Sequence, residues 1–239
     1  MSERLDFSQR AELAEEIDGQ CSYEELRDCL RDLAIVNRLT RAHRPVMNWL
    51  DRLPNFPRAR PLKIVDVGSG YGDMLRRIER WAAQRRVAVE LIGVDINANG
   101  LRAARESTPA GSSIRWIQGD ATSCTETADA DVVTASGMTH HLTEAEVVRL
   151  VHWMESTARV GWIIVDLHRK PVPYHLFDVI MRGPWWHRFI RPDGMRSIRR
   201  SFLAEDWVRM CGEAGLSAGD VEIREHRPAR LWVGRVKAA

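Results

Sequence analysis

Two clusters of residues have the types and spacing to do chemistry. The first is Asp66-Val67-Gly68-Ser69-Gly70-Tyr71-Gly72-Asp73, with glycines on alternate positions between a β-branched run and an amphipathic stretch. Glycines there permit a tight turn and let a ligand approach the backbone closely. A dinucleotide site needs G-x-G-x-x-G; here the third glycine comes one residue early and Asp73 takes its place. A carboxylate beside a helix start repels a pyrophosphate. No Gly-Lys-Ser/Thr follows, which excludes a P-loop. The turn suits a nucleoside ligand without phosphates. Asp95, followed by Ile96, closes the next strand-like run, where a carboxylate can accept both ribose hydroxyls. Gly119-Asp120-Ala121 follows the third run, where a carboxylate can accept adenine amino hydrogens.

The second cluster is Ser136-Gly137-Met138-Thr139-His140-His141-Leu142. Imidazole is the side chain best suited to take a proton near neutral pH. Asp166, ending the neighbouring run, can orient or charge-balance one ring. Either His140 or His141 fits a general base, and the pair equally fits a structural role, bonding carbonyls near Thr143. His168 and His175 are more distant candidates. The segment Arg182-Gly183-Pro184-Trp185-Trp186-His187-Arg188-Phe189 can wall a pocket for a planar aromatic or polyketide-like acceptor, with Arg188, Arg191 or Arg199 pairing with an acidic group. It can also pack its tryptophans on the N-terminal helices while its arginines face solvent or the acidic arm. Trp185, Trp186, Arg188 and His168 are the acceptor-side candidates.

These clusters need elements to carry them. Strand-like runs at 62–67, 87–95, 114–117, 131–134 and 161–166 alternate with helical patterns, among them 98–106 and a helix opened by the Thr143/Glu146 capping box. That alternation predicts an α/β protein with a mostly parallel sheet. Residues 1–57 read as a helical arm: a Ser22/Glu25 capping box opens one helix, and a second spans about 41–53, ending near Pro54 and Pro57. Residues 58–239 form the main domain. Within it the alternation breaks over 168–200, a proline- and arginine-rich stretch read as a lid insertion. A helix near 205–214 and strands at 218–224 and 231–237 complete the chain.

Residues 62–167 resemble the core of class I S-adenosylmethionine-dependent methyltransferases, whose D-x-G-x-G-x-G motif is matched by Asp66 to Gly72. The resemblance implies a Rossmann-like, seven-stranded, mostly parallel sheet whose last strand, 231–237, runs antiparallel. It implies S-adenosylmethionine as cofactor and S-adenosylhomocysteine as product. It places cofactor contacts at Asp66, Gly68, Ser69, Gly70, Gly72, Asp73, Asp95, Ile96, Asp120, Ala121 and Ser136. The His-His-Leu stretch is similar to one found in many small-molecule methyltransferases, which makes His140, His141 and Asp166 the catalytic candidates. The expected activity is in-line methyl transfer to a hydroxyl, phenolic in the leading reading, of a small-molecule acceptor. Transfer to nitrogen or carbon, an RNA methyltransferase and a non-catalytic binding partner are the alternatives.

Composition narrows these. In 239 residues, 35 Lys+Arg against 33 Asp+Glu leave a net charge of +2, too balanced for a dedicated nucleic-acid binder. The Asp/Asn-Pro-Pro-aromatic sequence of amino-methylating nucleic-acid enzymes is absent after the fourth run. No apolar run approaches a membrane span, so no membrane partner is expected. The four cysteines form no CxxC pair, and the first residues form no apolar signal core. Reduced thiols, no metal and a cytoplasmic location follow as expectations, with a homodimer left open.

Overall fold

The computed structural model describes residues 5–17, 19, 21–53 and 59–237. The expected arm–domain boundary at 57/58, with Pro54 and Pro57, lies outside them. The elements run α1 (Tyr23–Leu39), α2 (Arg44–Leu50), β1 (Leu62–Val67), α3 (Asp73–Arg85), β2 (Val89–Asp95), α4 (Ala98–Ser107), β3 (Arg115–Gln118), β4 (Val132–Ser136), α5 (Glu144–Thr157), β5 (Gly161–Leu167), α6 (Pro171–Ile180), α7 (Ile190–Arg200), α8 (Ala204–Glu213), β6 (Glu222–His226) and β7 (Arg230–Val236). The sheet order is β3-β2-β1-β4-β5-β7-β6. β1 to β5 are mutually parallel, while β7 runs antiparallel to both β5 and β6. The expected mixed sheet with a reversed last strand is the one found.

Successive side chains of a strand point to opposite faces, and β1 shows the result. Ile64 enters a cluster with Val46, Trp49, Leu50, Leu75, Ile78 and Trp81, whereas Val65 enters one with Val133, Val151, Met154 and Trp207. Helices cover both faces, so the central strands are mostly apolar, with Asp66, Thr134 and Asp166 as buried polar exceptions. Trp49, Trp162 and Trp207 are fully buried, which assigns a third of the nine tryptophans to packing.

Most boundaries shift by a residue or two from expectation, and the larger shifts at the starts of α2 and β6 have local reasons. Arg41 takes a left-handed turn at φ 56° and Pro45 sits in the first turn of α2, so that helix starts at Arg44 rather than 41. Ser217 and Asp220 close a turn on themselves: the Asp220 carboxylate accepts from Ser217 N at 2.9 Å, and Ser217 O accepts from Asp220 N at 2.9 Å. That holds 217–220 out of the sheet, and β6 begins at Glu222. β7 starts one residue before its expected first position. The insertion after β5 folds as α6 and α7, with Pro171, Pro173 and Pro192 in first turns, where a missing N–H costs nothing.

Order reverses between β1 and β4, and ligands of open α/β sheets bind beyond the carboxyl ends of the strands at such a point. α1, α6 and α7 lie over that rim: α1 and α7 pack through Cys29, Val36, Phe189 and Ile190.

Candidate active site

A cavity of about 1170 Å³ opens at this rim. Sites for single drug-sized ligands run to about 1,000 Å³, so it has room for two small molecules side by side. One side is built from the loops after the parallel strands, the other from α1, the N-terminal segment and the lid helices.

After β1, Gly68, Ser69 and Gly70 line the wall with their backbone. Gly70 sits at φ 47°, and a Cβ added there would point into open space within the cavity. Ser69 Oγ is buried and has no hydrogen-bond partner among the described residues. Asp95 lies opposite: its Oδ2 accepts from Gly70 N at 2.7 Å and its Oδ1 from Asn97 N at 2.8 Å. One carboxylate thus fixes the glycine turn and the start of α4 while facing the cavity. Ile96, 78% exposed, lies at the same wall, with Asp120, Ala121 and Ser136 further along. Asp120 Oδ1 accepts from the Thr122 amide and hydroxyl, both at 2.9 Å.

Three residues of the motif do other work. Asp66 is buried beneath the turn, its Oδ1 accepting from the Thr134 hydroxyl at 2.6 Å, and burial pushes its carboxyl up to about 7. Gly72, at φ 74°, caps α3, and an added Cβ would meet the Trp116 ring at 2.1 Å. Asp73 does not line the cavity. Its Oδ2 pairs with His43 Nε2 at 2.8 Å and accepts from Asn37 Nδ2 at 3.3 Å. Burial opposes that charge, but His43 and Asn37 hold the carboxyl below its ordinary value. Asn37 also accepts from Arg230 at 2.9 Å, and that guanidinium lines the cavity.

The His-His turn follows β4. Asp166 Oδ2 accepts from the Thr139 hydroxyl at 2.5 Å and from His140 N at 3.0 Å, and Oδ1 from Leu167 N at 2.7 Å. The same Oδ1 lies 2.8 Å from His140 Nδ1. An ionised carboxylate only accepts, so Nδ1 carries a hydrogen, and in a neutral ring the lone pair falls on Nε2. Burial raises the Asp166 carboxyl, yet His140 and these donors hold it well below the usual carboxylate range. Asp166 is therefore charged, and it sets the tautomer of His140.

The ring stands 4.3 Å from that of His141. Both face Glu15, whose Oε1 is 3.7 Å from His140 Nε2 and whose Oε2 is 3.9 Å from His141 Nε2. These separations are too long for hydrogen bonds. The three donor atoms, all within 4.8 Å of one another, are of a kind that binds a divalent cation. Here Glu15 Oε1 is already satisfied by the Ser197 hydroxyl at 2.8 Å and by Arg200 at 3.4 Å. Glu15 Oε2 is the oxygen that faces His141. Arg10 ties the N-terminal segment down over it, donating to His140 O at 2.7 Å and Leu142 O at 2.6 Å. Glu15, Arg10, Asn37 and Arg230 had no signal in the sequence, because none has a spacing relation to the motifs they join.

The far wall is apolar, formed by Leu26, Leu30, Leu33 and Val36 of α1 with Phe177 and Ile190 of the lid. The acceptor-side candidates do not line it. Trp185 is 73% exposed, Trp186 packs among Cys29, Val36 and Met181, and Arg188 pairs with Glu25. His168 is buried beside β7, its amide bonded to Ala229 O. These side chains face the arm or the solvent because the inner faces of α6 and α7 are presented by Phe177, Ile190 and Gly194.

Residues 64–161, about two-fifths of the chain, match the family model described as a methyltransferase domain. Over 89 residues the chain is 39% identical to the indolepyruvate C-methyltransferase of Streptomyces griseus, which covers 35% of this chain and 26% of that one. The chain thus spans about a quarter of the length of that curated relative. Among solved structures, magnesium protoporphyrin IX methyltransferase from Synechocystis superposes over 92% of this chain and 90% of its own, at 16% identity and TM-score 0.55. The fold is that of class I methyltransferases. A plantazolicin methyltransferase shares this methyltransferase fold over 89% of this chain and 97% of its own, at 13% identity and TM-score 0.62. Human N-acetylserotonin methyltransferase does so over 91% and 57%, at 14% identity and TM-score 0.61. The first two of these were crystallised with S-adenosylhomocysteine and the third with S-adenosylmethionine.

Proposed function

We propose that this chain is an S-adenosylmethionine-dependent methyltransferase acting on a hydroxyl, in the first instance a phenol, of a small-molecule acceptor. The observation that carries the reading is the Asp166–His140 pair, whose Nδ1 contact leaves Nε2 to serve as base in the cavity that the glycine turn and Asp95 also line.

The residues present fit the cofactor. Open space at Gly70 and Gly137, the unpartnered hydroxyl of Ser69 and the Asp95 carboxylate form a cradle for a nucleoside without phosphates. Arg230 offers a cation for an amino-acid carboxylate. When bound, S-adenosylmethionine supplies a methyl group activated on a sulfonium.

The chain's own contributions are alignment, water exclusion and proton removal. His140 Nε2 accepts the acceptor's hydroxyl proton, and Asp166 stabilises the imidazolium that results. Glu15, opposite Nε2, adds a second negative charge facing that cation. The apolar wall of α1 holds the acceptor's carbon skeleton and excludes water that competes for the methyl group.

The test is transfer of labelled methyl from S-adenosylmethionine to a panel of phenols. His140→Ala is expected to lower turnover by about 10²–10⁴ while calorimetric S-adenosylhomocysteine affinity stays within about twofold. Unchanged turnover in that variant overturns the base assignment. A second reading, transfer to carbon, draws on the likeness to the indolepyruvate C-methyltransferase of Streptomyces griseus. The same base can remove a proton next to a ketone, and product analysis with 2-oxo acids in the panel distinguishes the two.

A further inference from the structure

Glu15, His140 and His141 line the cavity together, and their donor atoms are spaced for more than proton transfer. His140 Nε2 lies 3.7 Å from Glu15 Oε1, His141 Nε2 lies 3.9 Å from Glu15 Oε2, and one donor atom from each residue falls within 4.8 Å of the other two. Two imidazole nitrogens and a carboxylate oxygen are the ligand set of open zinc sites, with bonds of about 2.0–2.2 Å. A tetrahedral ion with such bonds holds its donors about 3.4 Å apart, a few tenths of an ångström inside the Glu15 separations. His141, its side chain 33% exposed, has room to turn its ring inward. The cysteine spacing that argues against a metal does not bear on nitrogen and oxygen donors.

The two buried members are also held from behind, as metal ligands are. Asp166 Oδ1, 2.8 Å from His140 Nδ1, fixes the ring with its other nitrogen toward Glu15. The Ser197 hydroxyl at 2.8 Å and Arg200 at 3.4 Å hold Glu15 Oε1, which leaves Oε2 toward His141. Two carboxylates, Glu15 and Asp166, stand against two cations, Arg200 and Arg10, the latter donating to His140 O and Leu142 O. With those charges balanced, an ion's own charge is met by the anion or hydroxide that enters its fourth position from the cavity. That balance sets a moderate, micromolar affinity. Two imidazoles select a zinc-like ion over magnesium or calcium, which take oxygen ligands.

We propose that Glu15, His140 and His141 bind a zinc-class divalent cation, and that the bound ion switches methyl transfer off. The switch rests on the base reading above: His140 Nε2 has one lone pair, so it holds either the ion or the acceptor's proton. The ion also draws Glu15 away from the imidazolium it would otherwise face. Removing the ion returns the lone pair to the cavity, so the inhibition is reversible.

Zinc chloride is titrated into the metal-stripped full chain in competition with a chromophoric chelator, without cofactor or acceptor. A single equivalent is expected to bind. Glu15→Gln and His141→Ala are each expected to lower affinity by more than about 100-fold, the loss that even an outer-shell partner can cause. Cobalt bound to the parent gives a readout that depends on no variant folding. Its visible spectrum is expected to be that of a tetrahedral nitrogen–oxygen site, without the near-ultraviolet sulfur band that ligation by Cys21, Cys29, Cys124 or Cys211 would add. No binding, variants that bind like the parent, or a sulfur band overturns the site. In labelled-methyl transfer, zinc is expected to abolish the parent's turnover and the chelator to restore it; turnover that zinc raises or leaves unchanged overturns the switch. The titrations use no acceptor, so they decide the site whether or not the hydroxyl reading holds.

Discussion

Asp95 and Asp66 are both carboxylates of the glycine-turn region, and their surroundings give them opposite tasks. Asp95 faces the cavity and tethers Gly70 and Asn97. Asp95→Ala is expected to weaken S-adenosylhomocysteine binding by about 1–3 kcal/mol in a calorimetric titration; unchanged affinity would remove Asp95 from the cofactor site. Asp66 is buried, and burial pushes its carboxyl from 3.8 up to about 7. Between those values the folded chain keeps a proton that the unfolded chain releases. Its stabilising contribution is therefore complete below the unfolded value and is lost as pH rises through about 7. Asp66→Asn keeps an acceptor for the Thr134 hydroxyl and cannot ionise. Thermal unfolding is expected to show the variant more stable than the parent at pH 8, by on the order of a few kcal/mol, with the gap closing toward pH 4. A constant gap across that range would refute the shifted carboxyl.

At the scale of elements, the glycine turn separates folding from binding. Gly72→Ala forces a Cβ into the Trp116 ring at a backbone conformation that disfavours side chains, so loss of the folded state or a drop of about 2 kcal/mol or more is expected in denaturant titrations. Gly70→Ala bears about 1–2 kcal/mol of left-handed backbone strain but meets no atom of the protein, and its methyl projects into the cofactor cradle. It is expected to keep most of the parent's stability and lose cofactor affinity. Equal loss of stability in the two variants would contradict this division. The sequence made the turn legible because alternate glycines have few other uses between a strand and a helix. It misplaced Asp73 because nothing along the chain indicates that the junction of α1 and α2 meets the start of α3 and draws that carboxylate onto His43 and Asn37. The Trp185–Trp186 segment was misplaced for a related reason: residue type shows that an aromatic will pack, and only the course of α6 and α7 decides against what.

For the molecule as a whole, the candidate active site is covered by the segment farthest from it in sequence. Arg10 and Glu15 lie more than a hundred residues from the His-His turn they cover. Arg10→Ala removes donors from His140 O, Leu142 O and Arg200 O. It is expected to raise amide exchange across 138–142 and to lower turnover more than cofactor affinity. Unaltered exchange there would show that the arm is not what fixes the turn.

α1 carries the apolar wall on Leu26, Leu30, Leu33 and Val36, and one residue on, Asn37 grips both Asp73 behind the glycine turn and Arg230 in the cavity. One rigid rod thus belongs to both half-sites. Loading the inner half settles Arg230, and through Asn37 the helix on which the outer half depends. Steady-state kinetics carry the signature of such a rod: compulsory order, with S-adenosylmethionine first on and S-adenosylhomocysteine last off. Product inhibition by the latter is then competitive against the cofactor and noncompetitive against the acceptor, and Asn37→Ala relaxes the order toward random.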